Sequence, residues 1–204
     1  MHYLNQLETT NIFSTIQYFA PLEKFVLTLA ETEEFALIER AKDNPIYFQS
    51  VYDKYAETIF HFIYRRTNDE DIAADLCSQT FLKAIENLKK FENRGIPIIA
   101  WLYRIASNEM NMYFRKSKKT PTFSLETIFA HRIAEEEPEQ MTEYKLQKLA
   151  ACMEKLAEED VILLQLRFYE EKSFKEIAFI IDASEASTKM RLYRLLEKMK
   201  KSFG

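Results

Sequence analysis

Glycine is nearly absent from this chain, and its scarcity limits what the chain can fold into. Only 2 of the 204 residues are glycine and 5 are proline. Sandwiches and barrels rely on turns rich in both residues, whereas helices joined by short connections need few of either. Hydrophobic residues make up 47% of the chain and aromatic residues 14%, which is enough to bury a sizeable core. We therefore predict an all-α fold.

The segment 100–115 carries two distinct faces when it is read at the helical period. The apolar face, extended back to residue 98, consists of Ile98, Trp101, Leu102, Ile105, Met112 and Tyr113. The opposite face has no carboxylate and consists of Arg104, Asn108, Asn111 and Arg115. Cations can pair with phosphates while amides read base edges. The stripe indicates nucleic-acid binding, with an ordinary polar surface as the alternative.

A second pattern, at 173–195, predicts a helix-turn-helix unit. Ser173 and Glu176 form a capping box that begins a short helix. Asp182 and Ala183 make the turn, and Ser184 caps the next helix. The inward positions of that second helix are Thr188, Leu192, Leu195 and Met199, and its outward positions are Lys189, Arg191, Tyr193 and Arg194. A plain antiparallel helix pair is the alternative. It would not explain 6 Lys/Arg against 2 Glu in residues 184–204 of a chain with net charge −4.

Other features argue against several classes of protein. Cys77 and Cys152 are two isolated cysteines, which we expect to be buried and reduced. The 3 histidines are scattered, no Cys/His cluster has metal-ligand spacing, and no glycine loop could hold a phosphate. We therefore expect no enzyme, metal site or cofactor. No apolar stretch suits a membrane span and no secretion signal is recognised, so we expect a cytoplasmic protein without membrane insertion.

Three motifs in this order resemble those of the extracytoplasmic-function (group IV) sigma factors of bacterial RNA polymerase. Residues 71–84, DIAADLCSQTFLKA, resemble the second-region helix of that family. Residues 100–115 are similar to its next segment, and residues 173–195 are similar to its fourth-region helix-turn-helix. The family usually has Gln-Glu at 78–79 and often glycine at 182. This chain has Ser78-Gln79 and Asp182 instead, and we expect the first change to lower the affinity for polymerase.

The likeness spans about residues 34–204 and implies two small helical domains joined by a flexible linker. Region 2, at 34–118, would bind core polymerase and the −10 element. Region 4, at 142–204, would read the −35 element. Between them, 119–141 contains the acidic run 135–139 and would be the tether. Residues 1–33 lie outside the likeness. They add core to the first domain, cover a functional face, or come from a start codon assigned too far upstream.

The resemblance also implies roles for individual residues. On the helix 71–88, the core polymerase would contact Asp75, Gln79 and Lys83. The loop 91–97 and the following helix would hold an extruded base and phosphates of the −10 element through Asn93, Arg94, Arg104, Asn108, Asn111 and Arg115. The −35 element would be read by Lys189, Met190, Tyr193 and Arg194, with Arg191 on a phosphate.

The implied partners are core RNA polymerase and promoter DNA, and the family also allows an anti-sigma factor. Two other function classes stay open on the residues alone. One is a stand-alone helix-turn-helix regulator, which would not bind core polymerase. The other is a helical interaction protein without DNA activity, which would lack the basic residues named above. Trp101 and Tyr103 have two interpretations as well, as core residues or as platforms on which bases stack.

Overall fold

The structure is a computed structural model, which describes residues 33–92, 94–117 and 156–203. All regular secondary structure in these ranges is helical, which confirms the all-α prediction. Residues 1–32, the proposed tether 119–141 and Cys152 lie outside the described residues. The contacts divide the chain into two units, 1–51 and 52–204.

In the first unit, residues 33–43 form helix α1. Asn44 then caps a 3-10 turn, Pro45–Phe48, because its side-chain oxygen accepts from the Ile46 amide at 3.2 Å. Proline at the first position of the turn fixes the backbone where no amide donor is needed. The guanidinium of Arg40 lies 3.9 Å from the centre of the Tyr47 ring. Helix α2, Gln49–Thr67, begins immediately after this turn.

The second unit contains the rest of α2 and helices α3, Glu70–Asn87, and α4, Ile98–Ser117. Asp69 caps α3 by accepting from the Ile72 amide at 3.1 Å, and Glu70 and Asp71 lie at the positive end of that helix. A 3-10 turn, Leu88–Lys90, and a loop lead into α4. The core formed here includes Ile59, Phe62, Ile63, Leu76, Phe81, Leu102, Tyr103, Met110 and Phe114.

The buried face of α4 is rotated from the one predicted from the sequence. Leu102 and Ile98 are buried as expected, but Trp101 is only half-buried. Tyr103 and Met110, which were not assigned to that face, are almost completely buried. Helix α4 is covered on more than one side, so a single apolar stripe underestimates how much of it is buried.

The helix-turn-helix prediction is confirmed. Helix α5, Glu158–Leu164, continues into a π-helical turn, Gln165–Tyr169. Helix α6, Phe174–Ile180, begins with the predicted Ser173–Glu176 capping box, and α7, Glu185–Phe203, follows the turn. The Ser184 hydroxyl accepts from the Ser187 amide at 3.2 Å, as a helix cap does. The buried residues of α7 are those that the sequence assigned inward, Thr188, Leu192, Leu195 and Met199.

Asp182, in the turn between α6 and α7, has a φ of 57°. This left-handed backbone is normally occupied by glycine, and Asp tolerates it better than most residues do. The turn therefore keeps its geometry and gains a carboxylate. Helix α6 packs against both α7 and α4, so the helix-turn-helix lies on α4 within the second unit.

Candidate nucleic-acid and polymerase interfaces

The polar stripe of α4 faces partly toward solvent. Asn108 and Arg115 are exposed, and Arg104 and Asn111 are half-buried. The Asn111 Oδ1 atom is buried, and it accepts no hydrogen bond from the residues that the structure describes. The stripe thus combines cations with amide groups that retain hydrogen-bonding capacity, as contact with phosphates and base edges requires.

Next to this stripe, the loop between α3 and α4 borders a cleft of about 380 Å³. Its lining includes Arg94, Trp101, Arg104, Asn108 and Phe179. The lining also contains Phe91 and the Glu92 carboxylate, so the cleft combines cations, amides and three aromatic rings, a set that suits a flat polar ring and its phosphate. Asn93, a predicted member of this site, lies outside the described residues.

The two aromatic residues whose roles were left open lie in different environments. Trp101 is half-buried and packs on Phe91, with 4.7 Å between the ring centroids. Tyr103 is only 1% exposed, and its hydroxyl donates to Glu170 Oε2 at 2.7 Å. Burial, and then the neighbouring Glu170 carboxylate, raise the pKa of Tyr103 far above its ordinary value. In this arrangement Tyr103 is a core residue, whereas Trp101 borders the cleft.

Helix α3 exposes a mixed polar and apolar surface. Asp75 and Gln79 are exposed, as predicted. Leu82 is 57% exposed and Ile85 38%, although the helical spacing of Ile85 suits a core position. Large apolar side chains surrounded by polar ones are typical of protein-binding surfaces.

Lys83 is less available than its spacing suggested. Its ammonium lies 2.5 Å from Glu109 Oε1 on α4, and the Glu109 side chain is only 4% exposed. An isolated buried carboxylate is costly, so this cation stabilises the packing of α3 on α4. Lys83 therefore has a structural partner of its own at the edge of the exposed α3 surface.

Helix α7 presents the predicted basic surface. Lys189, Met190, Tyr193 and Arg194 are all exposed, with Met190 and Tyr193 each 54% exposed. Such a surface on the second helix of a helix-turn-helix can enter the major groove and reach base edges.

Arg191 differs from its neighbours on α7 because it is held by two carboxylates of α5. Its Nε lies 2.7 Å from Asp160 Oδ1, and its Nη1 lies 2.9 Å from Glu159 Oε2. Burial alone would lower the pKa of Arg191, but hydrogen bonds to Asp160 and Glu159 raise it above its ordinary value. The side chain thus joins α7 to α5 as well as lying beside the basic surface.

Within the described ranges, no group of His, Cys, Asp and Glu side chains is arranged to hold a metal ion. None of the helices in those ranges is long and apolar enough to cross a membrane. Cys77 is a buried free thiol whose Sγ lies 3.6 Å from the Ala56 carbonyl, and burial raises its pKa to about 11. A protonated, buried thiol agrees with the structural role predicted for it.

Comparison with known proteins identifies the family to which this chain belongs. The family Sigma-70 region 2 matches residues 51–120, and Sigma-70, region 4 matches residues 146–199. The RNA polymerase sigma factor YlaC of Bacillus subtilis (strain 168) is 30% identical over 157 residues, which are 76% of this chain and 90% of YlaC. The ECF RNA polymerase sigma factor SigM of the same organism is 28% identical over 151 residues, which are 74% of this chain and 91% of SigM.

The chain belongs to the ECF sigma factors. It is a sigma factor of RNA polymerase, and it directs promoter-specific initiation of transcription. The family assignment decides against the stand-alone regulator and the interaction protein without DNA activity.

Solved structures support the fold of this sigma factor. It is similar to the sigma factor RpoE in complex with the anti-sigma factor NepR from Bartonella quintana, with a TM-score of 0.51 and 19% identity. The likeness covers 76% of this chain and 95% of that one.

Two features of the present site had no signal in the sequence. These are the lining of the α4 cleft by Phe179, 75 residues beyond Arg104, and the burial of Tyr103 against Glu170.

Proposed function

We propose that region 2 of this sigma factor docks on core RNA polymerase through the exposed surface of α3. The docking surface consists of Asp75, Gln79, Leu82 and Ile85. Its support is the pair of exposed apolar side chains, Leu82 and Ile85, next to the two polar ones. Apolar groups in the middle of an interface supply most of its binding energy, and the polar rim sets its orientation. Lys83 belongs to the edge of this surface because Glu109 holds it.

The α4 cleft is our proposed site for an extruded base of the −10 element. The observation that carries this proposal is the joint lining of one cleft by Arg94, Trp101, Arg104 and Asn108. A base taken out of the stack exposes its hydrogen-bonding edge and both of its faces. The amide of Asn108 can both donate to and accept from that edge, and Arg104 can bind a flanking phosphate. Asn111 and Arg115 would extend the contact along the melted strand.

For the −35 element we propose the exposed surface of α7, with Lys189, Met190, Tyr193 and Arg194 facing the major groove. Arg191 would remain near a phosphate, positioned by Glu159 and Asp160.

The domain boundaries are also proposals: 34–118 for region 2, 119–141 for the tether and 142–204 for region 4. None of these roles involves a catalytic step by the sigma factor. We further propose that the protein works in the cytoplasm, where it would meet polymerase and promoter.

An anti-sigma factor is a proposed further partner. The structurally similar RpoE is bound to one, NepR. The exposed apolar residues of α3 offer a surface that such a protein could cover in competition with polymerase.

The docking proposal is tested by measuring the affinity of purified variants for core polymerase. Leu82→Ala together with Asp75→Ala should weaken binding by ~2 kcal/mol or more, as interface hot spots do. Glu57→Ala, a change at another exposed helical position, is the control and should bind like the parent protein. Circular dichroism checks that the helices are intact. Equal affinity of the double variant and the control would exclude the α3 surface as the docking site.

A further inference from the structure

The helix-turn-helix closes the cleft that we assign to the −10 element. Phe179 of α6 lies in its lining, and the Arg104 guanidinium carbon is 5.3 Å from the centre of the Phe179 ring. Arg104 Nη1 donates to the Phe179 carbonyl at 3.1 Å, and Arg104 Nη2 lies 2.9 Å from Asp182 Oδ1. The side of α4 that would face melted DNA thus already faces part of the same chain.

We propose that Phe179 and Asp182 are an internal competitor for promoter DNA at the −10-binding surface, an inference that rests on the function proposed above. Arginine pairs with carboxylates and phosphates in similar geometry, so Asp182 occupies the position of a phosphate on Arg104. An aromatic ring beside arginine uses the same cation–π attraction that a stacked base would use. Phe179 therefore takes the position of the base. The helix-turn-helix and promoter DNA cannot occupy this surface at the same time.

A second contact holds this closed arrangement in place. Glu170, which follows the π-helical turn, accepts from Tyr103 of α4 at 2.7 Å and from Arg65 of α2 at 3.0 Å. Its side chain is only 8% exposed. Arg65 also lies 3.7 Å from the centre of the Tyr169 ring. Glu170 is thus fixed by two elements at once, in a region from which water is largely excluded.

The two carboxylates contribute unequally. The Asp182 side chain is 81% exposed, and an ion pair in such a position contributes little stability. Glu170 is shielded, and its removal would leave Arg65 and the Tyr103 hydroxyl without their partner. Of the two carboxylates, Glu170 therefore contributes more to holding the closed arrangement, and Asp182 with Phe179 does the masking.

Several buried polar atoms in the closed arrangement lack hydrogen-bond partners among the described residues, and this lowers the energy needed to open it. These atoms lie between the helix-turn-helix and α2 or α4. They are Arg66 Nε and Nη2, Ser107 Oγ, Asn111 Oδ1 and Gln165 Oε1. Burial lowers the pKa of Arg66 to about 10, although Glu158 opposes that effect. Because opening lets water reach these atoms, polymerase and DNA need to supply less energy to separate the two parts.

The experiment compares free, full-length protein with the double variant Glu170→Gln/Asp182→Gly. Glycine accepts the φ of 57° at position 182, so the turn is kept. Small-angle X-ray scattering should show a larger radius of gyration for the variant. Its affinity for a fluorescein-labelled single-stranded DNA of mixed sequence should rise by about tenfold, because apparent affinity scales with the open fraction. Glu57→Gln/Glu197→Gln, which also removes two negative charges but at exposed positions of α2 and α7, is the matched control and should change neither quantity.

Arg104→Ala, added to the double variant, separates this proposal from the proposed −10 site. It should abolish the gain in DNA affinity and leave the expansion unchanged. An unchanged radius and affinity in the double variant would overturn the internal competitor, and so would expansion without tighter DNA binding. If Arg104→Ala has no effect on DNA binding in the open protein, the proposed −10 site itself fails. Phe179→Ala removes the masking ring and leaves Glu170 in place, so it should tighten DNA binding without expanding the protein.

Discussion

At the scale of single residues, spacing along a helix identified charged side chains but not what they contact. Lys83 and Arg191 both lie where their helical periodicity puts them. Each is nevertheless bound to carboxylates from another helix, Lys83 to Glu109 and Arg191 to Glu159 and Asp160. Their substitution therefore reports on packing as well as on binding to polymerase or DNA.

Lys83→Met should lower the free energy of unfolding by ~1–3 kcal/mol, because it leaves the buried Glu109 carboxylate without its cation. Urea denaturation followed by circular dichroism measures this. Adding Glu109→Gln should restore much of the loss, since a neutral amide is less costly to bury than an unpaired charge. Lys89→Met, at an exposed position, should stay within about 0.5 kcal/mol of the parent. A Lys83 variant as stable as the Lys89 variant would mean that the ion pair contributes nothing.

At the scale of elements, α7 has one face packed in the helix-turn-helix and one facing solvent. Thr188, Leu192, Leu195 and Met199 are each at most 5% exposed, whereas Met190 and Tyr193 are 54% exposed. The helix is anchored to α5 by Arg191 at the boundary between these faces. Two arginines three residues apart are therefore expected to behave differently.

Arg194→Ala should cost ~1–3 kcal/mol of affinity for the −35 element and relax its base preference, if Arg194 makes a bidentate contact with guanine. Arg191→Ala should weaken all −35 sequences about equally, and it should also lower the melting temperature because α7 loses its tie to α5. Fluorescence anisotropy with a set of −35 duplexes and thermal circular dichroism measure the two effects. The assigned orientation of α7 is wrong if Arg191, and not Arg194, sets the base preference.

At the scale of the whole molecule, the described part of the sigma factor has its two proposed DNA surfaces close together. A second cleft, of about 290 Å³, is lined by Asn108 and Asn111 of α4 and by Asp182 and Arg191 of the helix-turn-helix. On the proposed assignment of the two surfaces, binding a −10 and a −35 element at once requires these parts to separate. Promoter opening is therefore the step at which the arrangement of the entire chain matters.

Asn108→Ala should impair open-complex formation at the −10 element, because the exposed amide would no longer bind an extruded base. Closed-complex binding through the −35 surface should be nearly unchanged, and it is the internal control. Permanganate footprinting of unpaired thymines in the holoenzyme, with and without the substitution, is the measurement. Equal thymine reactivity in both would show that Asn108 is only a solvated surface residue.

Short stretches of sequence were enough to predict the local elements of this sigma factor. The Ser173–Glu176 capping box, the Ser184 cap and the inward face of α7 were all predicted. Caps and amphipathic faces depend on residues a few positions apart, so a single chain reveals them. The outward positions Asp75, Asn108 and Arg194 follow from the same periodicity.

Tertiary structure alone decided how these elements face one another. Tyr103 reaches Glu170 across 67 residues of sequence and Arg104 reaches Phe179 across 75, and no periodic pattern links such positions. Exposure of Ile85 likewise depends on which neighbours cover α3, since its spacing alone suits the core. Short-range periodicity fixes which way a side chain points from its own helix. What it meets there depends on long-range packing, and in this protein that packing brings the helix-turn-helix onto the proposed −10 site.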